Sequence, residues 1–201
     1  MRKLTAGRLL VATHNAGKLE EMRALFAPHG IEVVGAAEIN LAEPAETEET
    51  FVGNARIKAR AAMEATGLPV LADDSGITVD GLEGAPGVHT ADWAETPQGR
   101  DFMQAMARTW RELEARGVPE PRRAQFRATL LLIWPDGEEA VFEGVAPGRL
   151  VWPPRGALGH GYDPIFVPDG DTRTYAEMTA EEKNRISHRA AAFRQLQALF
   201  D

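Results

Sequence analysis

The stretch that decides the fold is Leu9–Lys18, which reads LLVATHNAGK. Its first four residues form a short apolar run typical of a buried β-strand. A polar turn follows, and from Lys18 to Phe26 apolar residues recur at helical spacing until Pro28 and Gly30 end the pattern. A strand, a polar turn and a helix in this order indicate an α/β protein.

Strand and helix patterns alternate along the rest of the chain. The predicted segments are strands at Ile31–Val34 and Val70–Ala72, helices over Phe51–Thr66 and from Thr96-Pro97 onward, and a hairpin of Gln125–Trp134 and Glu139–Val145 around Pro135-Asp136-Gly137. The strand at Val70 is expected to end before Asp73. We therefore expect a mixed sheet covered by helices, in a single domain over residues 1–201.

Composition excludes several classes of protein. The chain has 201 residues, no cysteine and a net charge of -8, so disulfides, thiolate metal sites and cysteine nucleophiles are excluded. The negative charge argues against a nucleic-acid partner. No apolar run reaches the roughly 20 residues of a membrane helix, and the apolar run after the basic N-terminus is too short for a signal peptide. We expect a cytoplasmic protein with no membrane partner.

The turn Thr13–Lys18 is a candidate anion site. Backbone N–H groups at a helix start attract an anion, Thr13 and Asn15 add side-chain donors, and Lys18 adds a positive charge. Gly17 lets the backbone approach a ligand closely. The alternative is an ordinary strand–helix turn with a polar cap.

The sequence Asp73-Asp74-Ser75-Gly76 follows an apolar strand. Ligands of open α/β sheets bind at the carboxyl ends of strands. Adjacent carboxylates leaving a strand point in different directions, so one can bind a metal while the other braces the site. Hard oxygen ligands favour Mg²⁺. The alternative is a simple Asx-type turn.

The loop Gly159–Pro164 combines two rings, His160 and Tyr162, with the carboxylate of Asp163. Rings offer a stacking surface to a planar ligand, and a carboxylate accepts from ring N–H groups. The alternative is a glycine-rich turn with a buried tyrosine.

A basic cluster lies near the C-terminus, with Lys183 followed by Ser187-His188-Arg189. On one continuous helix Lys183 and His188 face apart, but a helix break at Ser187 lets the basic side chains converge. Such donors suit a carbonyl oxygen, which an amino group cannot replace. The alternative is a solvated helix surface, which is also the default for Glu46 and Lys58.

Together these segments resemble the inosine triphosphate pyrophosphatase family, also called the Ham1 family, nearly from end to end. The motifs that carry the resemblance are Val11–Lys18, Phe51–Ala55, Ala72–Gly76, Gly84–Val88, Gly161–Phe166 and Ser187–Arg189. The resemblance implies hydrolysis of ITP, dITP and XTP to the monophosphate and pyrophosphate, which removes deaminated purines from the nucleotide pool. It also implies an elongated mixed sheet with two lobes around an active-site cleft, and a homodimer.

The resemblance also implies a role for each candidate residue. The triphosphate would be held by Thr13, His14, Asn15, Ala16, Gly17 and Lys18, with Lys58 and Ser75 beside it. Glu46 and Asp74 would bind Mg²⁺, and Asp74 would also accept a proton from the attacking water. The base would be held by His160, Gly161, Tyr162 and Asp163, and recognised by Lys183, His188 and Arg189.

Two departures from the family pattern concern the site. Gly53 stands where relatives commonly carry a carboxylate, and His160 stands where a phenylalanine is common. Two other functions remain open: a nucleotide-binding sensor without catalysis, and a Maf-like pyrophosphatase for modified pyrimidine nucleotides. The retained Asp74 and Lys58 argue against the first, and the Ser187–Arg189 motif argues against the second.

Overall fold

The structure is a computed structural model and describes residues 2–5 and 7–200. Its strands are β1 (Arg8–Val11), β2 (Glu32–Gly35), β3 (Val70–Val79), β4 (Glu95–Thr96), β5 (Gly99–Arg100), β6 (Arg122–Ile133), β7 (Glu139–Leu150) and β8 (Phe166–Pro168). Its α-helices are α1 (Ala16–Phe26), α2 (Phe51–Thr66), α3 (Phe102–Ala115), α4 (Ala180–Ile186) and α5 (His188–Leu196).

Six of these strands form one sheet in the order β2-β1-β3-β6-β7-β8. Strand β1 is parallel to both β2 and β3, whereas β8 is antiparallel to β7. The turn between β6 and β7 is closed by hydrogen bonds between Trp134 and Gly137 (2.8 Å) and between Trp134 and Glu138 (3.0 Å), so the predicted hairpin is confirmed. The predicted α/β class with a mixed sheet is also confirmed.

The chain divides into two compact units. The first unit comprises Met1–Asp74, Ala128–Gly144 and Arg189–Asp201, and the second comprises Ser75–Arg127 and Val145–His188. Each unit has its own core of buried apolar side chains. The expectation of one two-lobed domain over residues 1–201 stays a prediction.

The sheet of the first unit is buried on both faces. Because side chains alternate across a strand, Leu9 and Val11 pack into one cluster while Leu10 and Ala12 pack into another. Residues of α1 and α5 complete the first cluster: Leu19, Met22, Phe26, Ala192, Phe193 and Leu196. Alanines of α2 complete the second: Ala55, Ala59 and Ala62. Burial on both faces explains the continuous apolar run of β1.

Helix α2 begins and ends as the sequence predicts. The Thr50 hydroxyl accepts a hydrogen bond from the Gly53 N–H (3.1 Å), which is an N-cap. At the other end Gly67 takes a left-handed conformation (φ 68°) and donates to the Met63 carbonyl (2.8 Å). A residue with a Cβ is disfavoured at that φ, so glycine ends the helix there.

The core of the second unit lies between α3 and the parts of β3, β6, β7 and β8 that belong to this unit. Buried side chains in this core include Ile77, Val79, Met106, Trp110, Leu113, Phe126, Tyr162, Phe166 and Tyr175. Phe126 lies edge-on to Phe166 (4.7 Å between ring centroids) and stacks with Tyr175 (5.7 Å). These aromatic contacts stabilise the core of the second unit.

Two predictions from the sequence are wrong. Strand β3 does not end before Asp73 but continues to Val79, because charged partners of its carboxylates compensate their burial. Thr96-Pro97 does not start a helix. Thr96 belongs to a short hairpin, where its hydroxyl donates to the Gly99 carbonyl (2.6 Å), and α3 is instead capped by Asp101.

Within the described residues, no helix is long and apolar enough to cross a membrane.

The cap of α3 is testable by comparing Asp101→Ala with Thr96→Ala. The Asp101 carboxylate accepts from the Gln104 N–H (3.2 Å), so its loss should lower the free energy of unfolding by about 1 kcal/mol. Thr96→Ala removes only exposed contacts of the hairpin and should cost less than half as much. Urea denaturation measures both. A larger loss for Thr96→Ala would contradict this position of the helix start.

Candidate active site

The turn after β1 is organised by its own polar side chains. The Asn15 carboxamide oxygen accepts from the Lys18 N–H (3.0 Å) and caps α1. The Thr13 hydroxyl accepts from the Asn15 N–H (3.1 Å), which closes the turn. Ala16 and Gly17 form the first turn of the helix. The result is a helix N-terminus at the carboxyl end of a strand, a position that favours anions.

His14 contacts the chain beyond the turn. Its ring is exposed, and Nε2 lies 2.7 Å from the Leu41 carbonyl oxygen. The turn is thereby connected to the segment that follows β2.

The two carboxylates of β3 lie on opposite faces of the strand. Asp73 shares the face of Leu71, which packs with α1 and α5, whereas Asp74 shares the face of Ala72, which packs with α2. The expectation that the two carboxylates point in different directions is therefore confirmed. Their different partners follow from this alternation.

Asp73 is the centre of a buried group of charges. Its carboxylate accepts from Arg189 Nε (2.8 Å) and from Lys18 Nζ (2.9 Å), and Arg189 Nη1 also binds Glu21. Asp73 and Arg189 are each 1% exposed. Burial raises the pKa of Asp73, but the charges of Arg189 and Lys18 outweigh it and hold that pKa well below the usual range. The group balances two anions with two cations, as a buried cluster requires.

The resemblance implies that Arg189 recognises the base of the substrate. In the structure the guanidinium is bound to Asp73 and Glu21. Glu21 was not identified from the sequence as a site residue. It follows Lys18 by three residues and so lies on the same face of α1, which was the available signal.

A second charged group surrounds the ammonium of Lys58. Nζ donates to the Asp73 carbonyl (2.8 Å) and to Asp74 Oδ1 (3.3 Å), and it lies 2.9 Å from Glu46 Oε1. Burial lowers the pKa of Lys58, but the negative charges of Asp74 and Glu46 outweigh it and raise that pKa above its ordinary value. The structure therefore brings together three predicted site residues, of which Lys58 and Asp74 are buried and Glu46 is exposed.

The other oxygen of Asp74, Oδ2, is buried and has no hydrogen-bond partner among the residues that the structure describes. Burial raises the pKa of Asp74 to about 6, and the negative charges of Glu46 and Asp73 act in the same direction. A buried carboxylate oxygen without a partner is costly unless a cation completes it. The donor set of Asp74 and Glu46 thus fits a divalent metal.

Within the part of the chain that the structure describes, no group of three or more histidine, cysteine or acidic side chains is arranged to hold a metal. Mg²⁺ in phosphate chemistry is typically bound through one or two carboxylates together with substrate phosphates. Two carboxylates therefore suit Mg²⁺ better than a metal enclosed entirely by protein ligands.

In the second unit, Asp163 and Lys183 form a buried pair. Asp163 Oδ2 accepts from Lys183 Nζ (2.7 Å) and from the His160 N–H (3.0 Å). A Cβ on Gly159, where φ is 72°, would lie 2.2 Å from Asp163 Oδ2, so glycine is required beside this carboxylate. The loop thus holds Lys183 and the His160 backbone in a fixed arrangement.

The two rings of this loop differ in accessibility. Tyr162 is 1% exposed and lies edge-on to Phe102, and burial raises its pKa to about 12. Its ring belongs to the core, which corrects the interpretation of that ring as a stacking surface. His160 is only partly buried, so it is the more accessible of the two residues.

The expected break between Lys183 and His188 is confirmed. Helix α4 ends at Ile186, Ser187 is extended (ψ 161°), and α5 begins at His188. The His188 ring is buried and stacks on Phe126, with 4.8 Å between ring centroids.

The predicted site residues fall into two sets. The first unit contains Thr13, His14, Asn15, Ala16, Gly17, Lys18, Glu46, Lys58, Asp74 and Arg189, and the second contains Ser75, His160, Gly161, Tyr162, Asp163, Lys183 and His188. The first set has the chemistry of an anion and metal site. The second offers a buried ammonium, a carboxylate and a partly buried histidine.

Comparison with known proteins identifies the family. The model of the Ham1 family matches residues 9–199. A protein from Ruegeria pomeroyi named dITP/XTP pyrophosphatase is 67% identical, covering 95% of this chain and 94% of its own length. Another with this name, from Brucella melitensis, is 52% identical, covering 96% and 93%. The chain belongs to the Ham1 family.

Solved structures agree with this assignment. A HAM1 protein from Coxiella burnetii has a TM-score of 0.85 and 37% identity, covering 96% of this chain and 97% of that one. A nucleoside-triphosphatase / dITP/XTP pyrophosphatase from Mycobacterium abscessus has a TM-score of 0.73 and 42% identity, covering 96% and 98%.

The buried group around Asp73 is testable by Arg189→Ala. The substitution removes the buried cation that Asp73 and Glu21 share and leaves two carboxylates with too little positive charge, so the free energy of unfolding should fall by about 3–5 kcal/mol. Arg60→Ala is the matched control, because Arg60 forms an exposed ion pair with Glu139 (3.0 Å) and its loss should cost about 1 kcal/mol or less. Similar losses in denaturant titrations of the two variants would refute a special role for the buried group.

The raised pKa of Asp74 predicts how stability depends on pH in the metal-free protein. The folded state holds its proton up to about pH 6 and the unfolded state only to about 3.8, so stability is lost as pH rises through this window. Asp74→Asn removes the ionisation. Relative to wild type, its free energy of unfolding should therefore increase by about 2–3 kcal/mol between pH 3.5 and 7.5. Denaturation with a chelator present measures this, and a constant difference would contradict the raised pKa.

Proposed function

We propose that this chain hydrolyses non-standard purine nucleoside triphosphates, such as dITP, XTP and ITP, to the monophosphate and pyrophosphate. The observation that carries the proposal is the buried Asp74 oxygen to which no described residue hydrogen-bonds, beside Lys58 and Glu46. The dITP/XTP pyrophosphatases at up to 67% identity support the same reaction and substrate class.

In this proposal the turn Thr13–Lys18 and Lys58 bind the triphosphate, with Ser75 beside it. Helix N–H groups and lysine ammonium groups stabilise the negative charge that develops on the leaving pyrophosphate. Lys18 is already held by Asp73 and Lys58 by Glu46, so both cations are oriented before substrate binds. Such preorganisation lowers the reorganisation needed in the transition state.

Asp74 is proposed to accept the proton of the attacking water. A general base must lie within hydrogen-bond reach of the proton that it abstracts, and Asp74 Oδ2 makes no hydrogen bond within the described residues that would occupy it. Glu46 and Asp74 would hold Mg²⁺. When bound, this ion supplies neutralisation of phosphate charge.

The second unit is proposed to recognise the base. His160, Gly161, Tyr162 and Asp163 would hold it, with the ring of the more accessible His160 rather than the buried Tyr162 ring as the stacking surface. Lys183 and His188 would donate to the 6-oxo group. The family resemblance implies the same role for Arg189, whose guanidinium is bound to Asp73 and Glu21 in the first unit. A lysine ammonium carries only donors, so the N–H of Lys183 that faces the base would find an acceptor in a 6-oxo group but not in a 6-amino group.

The assembly and location of the protein also remain proposals. We infer a homodimer and a cytoplasmic location, as the family resemblance and the sequence suggest.

A pyrophosphate-release assay over a nucleotide panel with Mg²⁺ tests the function. We expect ITP, dITP and XTP to be hydrolysed with kcat/KM at least about 100-fold above that for ATP, because buried donors are left unpaired by an amino group. Asp74→Asn should lower kcat by about 10²–10⁴-fold. Asp92→Asn, at an exposed carboxylate, is the matched control.

Each alternative has its own outcome in this assay. Tight nucleotide binding without pyrophosphate release would favour a sensor. Preference for modified pyrimidine nucleotides would favour a Maf-like enzyme. Equal rates with ITP and ATP would refute the proposed base recognition, and an active Asp74→Asn variant would refute the proposed base.

A further inference from the structure

The segment Glu43–Glu49, here called the acidic segment, contains no helix or strand, yet it carries Glu46. Glu46 reaches the buried ammonium of Lys58 at 2.9 Å while its own side chain is about a third exposed (32%). A single exposed carboxylate on an irregular segment does not hold itself in place, because ordering the backbone costs entropy at each residue. Other contacts must fix the acidic segment.

Asn54, in the first turn of α2, makes such a contact. Its carboxamide oxygen accepts from the Glu48 N–H (2.9 Å), and its amide nitrogen donates to the Glu48 carbonyl (3.1 Å). Asn54 is 2% exposed, so both polar atoms are removed from water and depend on these partners. One side chain thus satisfies both backbone groups of one residue in the acidic segment.

Asn54 is not needed to begin the helix. Thr50 already caps α2 by accepting from the Gly53 N–H (3.1 Å). The Asn54 side chain instead bonds to the chain before the helix. Its contacts therefore serve the acidic segment rather than the helix.

Gly53 makes room for the same residue of the segment. A Cβ at Gly53 would lie 2.6 Å from Glu48 Cβ and 2.8 Å from Glu48 Cγ. The backbone fixes the position of Glu48 Cβ, so rotation of the side chain can move Cγ but cannot relieve the contact with Cβ. The Glu48 side chain thus occupies the space over Gly53, so the missing carboxylate at this position has a steric reason in this chain.

We propose that Asn54 and Gly53 are positioning residues that hold Glu46 against Lys58 and beside Asp74. Two residues of chain span at most about 7 Å, so fixing Glu48 restricts Glu46 to a small volume. The proposal rests on the proposed function, in which Glu46 binds the metal. It assigns the first turn of α2 a role in the reaction although neither residue touches the substrate.

The experiment compares Asn54→Ala with Thr66→Ala, which removes a side-chain hydrogen bond (2.7 Å) at the far end of the same helix. In the metal-free protein, hydrogen exchange of a peptide covering the acidic segment should become about tenfold faster in Asn54→Ala and stay unchanged in Thr66→Ala. The Mg²⁺ concentration for half-maximal activity should rise at least about tenfold in Asn54→Ala alone. The nucleotide KM at saturating Mg²⁺ should change by less than about twofold. General destabilisation of the protein does not raise the Mg²⁺ requirement while leaving this KM unchanged.

A double-mutant cycle tests the steric part. Gly53→Ala should raise the Mg²⁺ requirement, and adding Glu48→Gly should reverse most of this increase. The glycine removes the two atoms nearest the new Cβ and leaves only the contact with Thr50 Oγ1 at 2.9 Å. Additive effects of the two substitutions would overturn the role of Gly53. Unchanged exchange of the acidic segment in Asn54→Ala, or equal shifts in Asn54→Ala and Thr66→Ala, would overturn the role of Asn54.

The proposed function and the positioning role of Asn54 and Gly53 can be contradicted independently of each other. A wild-type protein without pyrophosphatase activity would overturn the proposed function. The exchange measurement would still show whether Asn54 holds the acidic segment, because it needs neither metal nor substrate.

Discussion

The buried ion pair between Arg189 and Asp73 is the interaction on which the first unit depends. It joins the first turn of α5 to β3, and through Glu21 and Lys18 it also joins α1. Removing charges from water is costly, so the four groups tolerate burial only together. Because Asp73 is fixed on one face of β3, the strand alternation directs Asp74 to the other face, where Lys58 lies. The ion pair of Asp73 on one face of the sheet thus determines the position of Asp74, the proposed general base, on the other face.

Much of this architecture is predictable from short-range patterns. The strand, turn and helix of Leu9–Phe26, the bounds of α2 and the β6–β7 hairpin depend on neighbouring residues, and all were predicted with small errors at the ends. The sequence also indicates that a helix break at Ser187 is needed for Lys183 and His188 to face the same way. Helix caps and turns are determined by residues that are close together in the sequence, which explains why these elements are predictable.

Two of the failures have a different cause, namely partners that are distant in sequence. The continuation of β3 through Asp73 and Asp74 is possible because Arg189, 116 positions away, neutralises the first carboxylate. No local pattern shows that pairing, so a polar turn was the natural expectation. The burial of the Tyr162 ring is likewise decided by packing within the second unit. The start of α3 was wrong for a local reason, since Thr96 and Asp101 are both good caps and only the hairpin decides between them.

The contact between Gly53 and Glu48 has a consequence for how this family can diverge. Because the side chain of one residue fills the space over the other, the two positions cannot both carry large side chains with the present backbone. A mutation that enlarges one position is tolerated only after the other has become small. In relatives, a larger residue at one of these two positions should therefore occur together with a smaller residue at the other. The substitution that reduces the side-chain volume should come first.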